Sequence, residues 1–146
     1  MRSLLTLLSL LSVLLLSVHP CPAVEVGGME MPESLVVDGT TLVLNGAGLR
    51  TKTILSIKIY AGGLYLEEKS GDPTAIINAD RPMAVKMIFI YDGVSAEKIV
   101  DTWNEGFEKY TGPESGGLKE KVAKFNSFFT RETLRGDTFD IIYLPG

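Results

Sequence analysis

The sequence predicts an α+β domain behind a secretory signal. Three observations carry that expectation. Short β-forming runs punctuated by glycine occupy the chain from Ser34 to Tyr91. Two amphipathic helical patterns follow between Ser95 and Phe129, before a last strand. Residues 1–23 have the layout of a signal segment rather than of a folded element.

Met1-Arg2 supplies positive charge, and Leu4–Val18 is apolar except for serines and one threonine. Cys21-Pro22-Ala23 then places small residues where a signal peptidase reads, so cleavage is expected after Ala23. The apolar run has 15 residues, short of the ~20 that a spanning helix needs. His19-Pro20 ahead of Cys21 is a poor match to the small residues that lipidation prefers. The expected product is periplasmic or secreted, with no membrane span once the signal is removed.

The mature chain, Val24–Gly146, has 123 residues, enough for one small domain with a core. It holds no cysteine and no histidine, since Cys21 and His19 leave with the signal. Ser-His-Asp catalysis, a cysteine nucleophile, disulfides and zinc held by His or Cys are thereby excluded. No metal and no cofactor is expected. Loss of Arg2 leaves 13 basic residues against 18 acids, a net charge of −5. An acidic domain without a basic cluster is a poor partner for nucleic acid. Lys119, Lys121 and Lys124 are interrupted by Glu120 and read as a solvated helix face.

Ser34–Val37 and Thr40–Leu44 flank Asp38-Gly39, a two-residue hairpin signal. Asn45-Gly46-Ala47-Gly48 breaks the second strand as a turn or bulge; neither a helix nor a P-loop lysine follows to make it a phosphate cradle. Ile54–Leu66 reads as one long strand, with Leu55, Ile57, Ile59 and Ala61 on one face and Ser56, Lys58, Tyr60 and Gly62 on the other. Gly62-Gly63 marks a bend or a close approach to the backbone. Asp72-Pro73 caps a short helix through Ala79. Met83–Tyr91 is an apolar strand partly covered on both faces.

Ser95 is the expected N-cap of a helix with Glu97 in its first turn and Ile99, Trp103 and Phe107 spaced four apart. Gly112-Pro113 ends it. A second helix carries Leu118, Val122, Phe125 and Phe129, an aromatic stripe read as core packing. Thr138–Leu144 is a final strand. Pro145-Gly146 then opens a turn that normally introduces a partner strand, so the chain is expected to be C-terminally incomplete relative to its relatives.

Little chemistry remains besides Arg50 and Tyr60. A simple hairpin centred near Lys52 would pair Arg50 with Ile54 and leave Tyr60 several residues further along. By themselves they read either as an exposed cation and a sheet tyrosine, or as the two donors of an anion site.

The order of Gly46-Ala47-Gly48, Arg50, Gly63-Leu64-Tyr65-Leu66, Ala96-Glu97-Lys98 and Tyr143-Leu144-Pro145-Gly146 resembles the chalcone isomerase-like family, closest to its exported bacterial members. The resemblance spans nearly all of the mature chain. It implies an open-faced β-sandwich: an antiparallel sheet with helices packed on it and a cleft between. It also implies that Arg50 matches the arginine of the catalytic plant enzymes, which cyclise chalcones as intramolecular lyases. Their strand threonine corresponds to Tyr60. Their helix tyrosine and asparagine correspond to Ser95 and Thr102, with Asn104 nearby, so no catalytic set is intact. Arg50 with Tyr60 instead resembles the fatty-acid-binding branch, in which such a pair holds a carboxylate. The implied ligand is a small apolar carboxylate, such as a fatty acid, or a polyphenol-like molecule. The alternatives are an isomerase of the intramolecular lyase type and a non-catalytic, partner-binding relic.

Overall fold

Five antiparallel strands form the main sheet of the computed structural model, which describes residues 23–52, 56–111 and 117–146. A small hairpin precedes it, β1 (Ala23–Val26) with β2 (Met29–Pro32). The sheet runs in chain order from β3 (Ser34–Val37) through β4 (Thr40–Lys52), β5 (Ile57–Leu66) and β6 (Met83–Phe89) to β7 (Thr138–Tyr143). Helix α1 (Pro73–Asn78) links β5 to β6. Helices α2 (Ala96–Thr111) and α3 (Lys119–Asn126) lie between β6 and β7. The expected α+β class, with an antiparallel sheet and helices packed on it, is what the chain forms.

Local chemistry fixes most boundaries. Val37 pairs with Thr40, and Asp38 and Gly39 both adopt positive φ (47° and 78°), as a two-residue hairpin turn requires. The Asp72 carboxylate accepts the amides of Thr74 and Ala75, with Pro73 opening α1. The Ser95 hydroxyl oxygen accepts from the Lys98 amide at the start of α2. Gly112-Pro113, expected to end α2, lies outside the described residues, as do Ile54, Leu55 and residues 1–22 of the signal segment, whose expected last residue, Ala23, opens β1.

Three expectations change. Asn45-Gly46-Ala47-Gly48 carries the bulge that is one of its two expected forms, a register slip at Asn45 between Leu44 and Gly46, but it does not break the strand: β4 runs unbroken from Thr40 to Lys52. A β-bulge accommodates the extra residue without ending the ladder. A second bulge upsets the alternation assigned to β5. Arg50 pairs with Tyr60 and Thr51 with Lys58, so Ile59 is extra. It turns toward the face that carries Tyr60, and both side chains pack on the same cluster. The β1–β2 hairpin was not anticipated, although Gly27-Gly28 forms its turn with φ of 64° and 88°.

The sheet buries both faces, by different means. On one, Leu42, Leu44, Ala61, Tyr65, Ala84 and Ile88 pack with Met31 of the small hairpin. The Tyr65 hydroxyl donates to the Pro32 carbonyl at 2.8 Å, tying the hairpin to the sheet. On the other face, Met87 and Phe89 of β6 meet Ile99 of α2, joined by Trp103, Phe129 and Phe139. Ring centroids about the Trp103–Phe125–Phe129–Phe139 chain lie 5.1–6.1 Å apart, so the aromatic part of the stripe packs on the sheet side as expected, while Leu118 at its start is exposed and no α3 residue is fully buried. Strand β6 contributes to both clusters, as its continuous apolar pattern requires.

Candidate functional site

Arg50 and Tyr60 are direct cross-strand partners. The hairpin joining β4 to β5 pairs Lys52 with Ile57, further along the chain than a turn at Lys52 permits. Together with the Ile59 bulge, this register brings the two residues opposite one another. Directly opposed residues in an antiparallel pair have Cβ atoms about 4.5–5.5 Å apart and share a face. Strand β6 completes the rung, with Phe89 beside Tyr60 at a ring separation of 5.6 Å.

The pair sits at a cleft of about 230 Å³ between the sheet and α2. Its floor comes from Ile59, Tyr60, Met87, Phe89 and Phe139, and its helical wall from Ile99, Thr102, Trp103 and Gly106, with Val94 at the loop side. The wall residues follow the i, i+3, i+4, i+7 spacing of one helix face. Arg50 is exposed and has no ion pair or hydrogen bond among the described residues; the half-buried Tyr60 hydroxyl has no hydrogen bond among them either. One guanidinium and one phenol thus meet an apolar cleft with their donors unspent.

Two other depressions lack this arrangement. One of about 290 Å³ beside α1 contains Arg81, whose charge is met by Glu67 at 3.8 Å. One of about 310 Å³ between α2 and α3 is lined by Phe107, Leu118 and Val122, with Glu108 and Lys119 supplying opposite charges. The perturbed titrating groups also lie outside the cleft. The Arg131 guanidinium hydrogen-bonds Asp137 and holds its carboxyl below the ordinary carboxylate range. Donation to Asp80 pushes the Tyr143 phenol up. These are structural pairs. Among the described residues, no group of three His, Cys, Asp or Glu is placed to hold a metal, and no helix is long and apolar enough to cross a membrane.

A family model described as chalcone isomerase-like matches residues 23–146. The chain belongs to the chalcone isomerase-like family. Among solved structures, the crystal structure of the Arabidopsis thaliana fatty-acid binding protein AtFAP1 is similar, with a TM-score of 0.65 and 22% identity over 82% of this chain and 70% of that one. At that identity the likeness is one of fold. No curated protein sequence matches significantly.

Within this chalcone isomerase-like domain, Ser95 and Thr102, which the resemblance matched to the plant enzymes' helix residues, both hydrogen-bond the α2 backbone. Ser95 caps α2, and the Thr102 hydroxyl donates to the Lys98 carbonyl at 2.8 Å although Thr102 lines the cleft. The Asn104 side-chain carbonyl accepts from the Asn126 amide at 2.7 Å, beside the α2–α3 depression rather than at Arg50. Sequence reasoning assigned Ile99 and Trp103 to the core alone, and missed Met87, Gly106 and Phe139 as cleft residues. A threonine and a glycine on the apolar stripe of α2 were the available signal.

Proposed function

We propose that this family member is an exported binding protein for an apolar carboxylate such as a fatty acid, held in the cleft between the sheet and α2. One observation carries the reading: Arg50 and Tyr60 face each other across a β-ladder at the mouth of an apolar cleft, with their donors unspent among the described residues. A guanidinium presents a fork of donors matched to a carboxylate, and the phenol adds another. The similar Arabidopsis fold belongs to a fatty-acid binding protein, which supports the ligand class. The signal-like pattern of Met1–Ala23 supports export.

The energetic roles divide cleanly. A charge-assisted hydrogen bond contributes about 1.5–3 kcal/mol net. Each buried methylene adds about 0.8 kcal/mol, so the tail dominates affinity and Arg50 sets orientation. Among the described residues, the one α2 hydroxyl that lines the cleft, Thr102, already donates to the Lys98 carbonyl, which weighs against the isomerase reading.

Thermal melting of the purified, delipidated protein with laurate and with methyl laurate tests this. A ligand at a hundredfold excess over its Kd stabilises by about 2.7 kcal/mol, or roughly 10 °C for a domain of this size. Laurate is expected to produce such a rise and the ester a much smaller one. An unchanged melting temperature with laurate, and no lipid in native mass spectra of the protein as purified, would contradict the reading.

A further inference from the structure

Gly106 has a cost and no structural reason. It lies inside α2, where glycine disfavours the helix relative to alanine. Its φ is not in the left-handed region. A Cβ added there meets no atom of the described residues within 4 Å, so none of them demands its smallness. It does line the cleft, one turn beyond Thr102 and Trp103. Gly106 shares the lining of that cleft with Arg50 and Tyr60.

We infer that Gly106 is a specificity-determining residue, which keeps the cleft open for an acyl chain of about eight carbons. This rests on the carboxylate reading above and names the ligand's length. The cleft holds about 230 Å³. At roughly 30 Å³ for each methylene-sized group, close to the share of one liquid water, that is about eight groups. Within the cleft, each further methylene strengthens binding about fourfold. Beyond it the gain flattens, because the remaining chain leaves the wall supplied by Ile99, Trp103 and Gly106. An alanine at position 106 displaces about one methylene and a leucine about four.

The experiment measures Kd by calorimetry for straight-chain carboxylates of six to sixteen carbons, on wild type, Gly106→Ala and Gly106→Leu, with melting temperatures of the unliganded proteins. The expected wild-type series steepens to about eight carbons and then flattens. Both variants are expected to melt higher than wild type, since better helix formers replace glycine. Octanoate should nevertheless bind about fourfold weaker in Gly106→Ala and more than a hundredfold weaker in Gly106→Leu. A merely structural glycine would not move stability and affinity in opposite directions. Unchanged octanoate affinity in both variants, with wild type binding normally, overturns the role of Gly106 alone. Equal gains per methylene out to sixteen carbons overturn the length limit and route the tail along the sheet past Gly62 and Gly48. Failure of wild type to bind any member of the series overturns this inference and the carboxylate reading together.

Discussion

Replacing Arg50 by glutamine removes the charge while keeping a polar chain of similar reach. The residue is exposed and unpaired among the described residues, so its loss leaves no buried partner stranded. Stability is therefore expected to stay within about 0.5 kcal/mol of wild type. Laurate affinity is not expected to survive as well. Because Arg50 lies at the rim, the low end of the range for a charge-assisted bond applies, about 1.5 kcal/mol, or roughly a tenfold weaker Kd. Tyr60→Phe removes a single phenolic donor, about 1 kcal/mol or roughly fivefold. The two are cross-strand neighbours sharing one anion, so the double variant should lose less than the product of the single losses. Calorimetry at low and high salt adds a second axis: an exposed guanidinium is screened over about 10 Å at 0.1 M, so wild type should converge on Arg50→Gln as salt rises. Methyl laurate should bind all four proteins alike. If Arg50→Gln binds laurate as tightly as wild type, or weakens the ester equally, the clamp is wrong.

Two further outcomes probe the frame around the cleft. Gly63→Val is expected to destabilise by about 1–3 kcal/mol through overpacking, because a Cβ there comes within 2.9 Å of Leu44 Cδ1, 3.1 Å of Met31 Sδ and 3.2 Å of Tyr65 Cε2. Gly48→Ala, whose Cβ meets nothing within 4 Å among the described residues, is the matched control in urea unfolding and should be near neutral. Asp137→Asn should lower stability at neutral pH but not in strong acid. The native Asp137 carboxyl is held below its ordinary 3.8, chiefly by the Arg131 hydrogen bond and then by the Leu134 amide. The unfolded state therefore binds more protons in that window, and stability rises with pH through it. The gap between wild type and Asp137→Asn should be full above 3.8 and close as pH falls through the lowered native value. A gap independent of pH would contradict this.

What could be read from the sequence divides along a physical line. Asp38-Gly39, Asp72-Pro73 and Ser95 specify turns and caps through their own backbone and side-chain chemistry, so those boundaries fell where expected. The α2 and α3 stripes were legible because their period is local. Register was not. Whether Arg50 opposes Ile54 or Tyr60 depends on where the β4–β5 hairpin turns and on an extra residue, Ile59, that alternation cannot announce. Gly46–Gly48 looked like a break because glycine weakens a strand, yet pairing with β5 carries β4 straight through it. The β1–β2 hairpin carried a Gly-Gly turn signal but adjoins the signal-like segment, and its stability comes from Met31 and the Tyr65–Pro32 bond rather than from its own four-residue strands.

The carboxylate clamp is tested most directly by the ionisation of the bound ligand itself. Laurate labelled with ¹³C at its carboxyl carbon reports its protonation in a pH titration of the complex by nuclear magnetic resonance. A guanidinium and a phenol bonded to the charged form hold the bound carboxyl's pKa below that of the free acid, and Arg50→Gln moves it back up. A bound carboxyl titrating above the free acid, unmoved by Arg50→Gln, would mean an apolar cleft without a clamp.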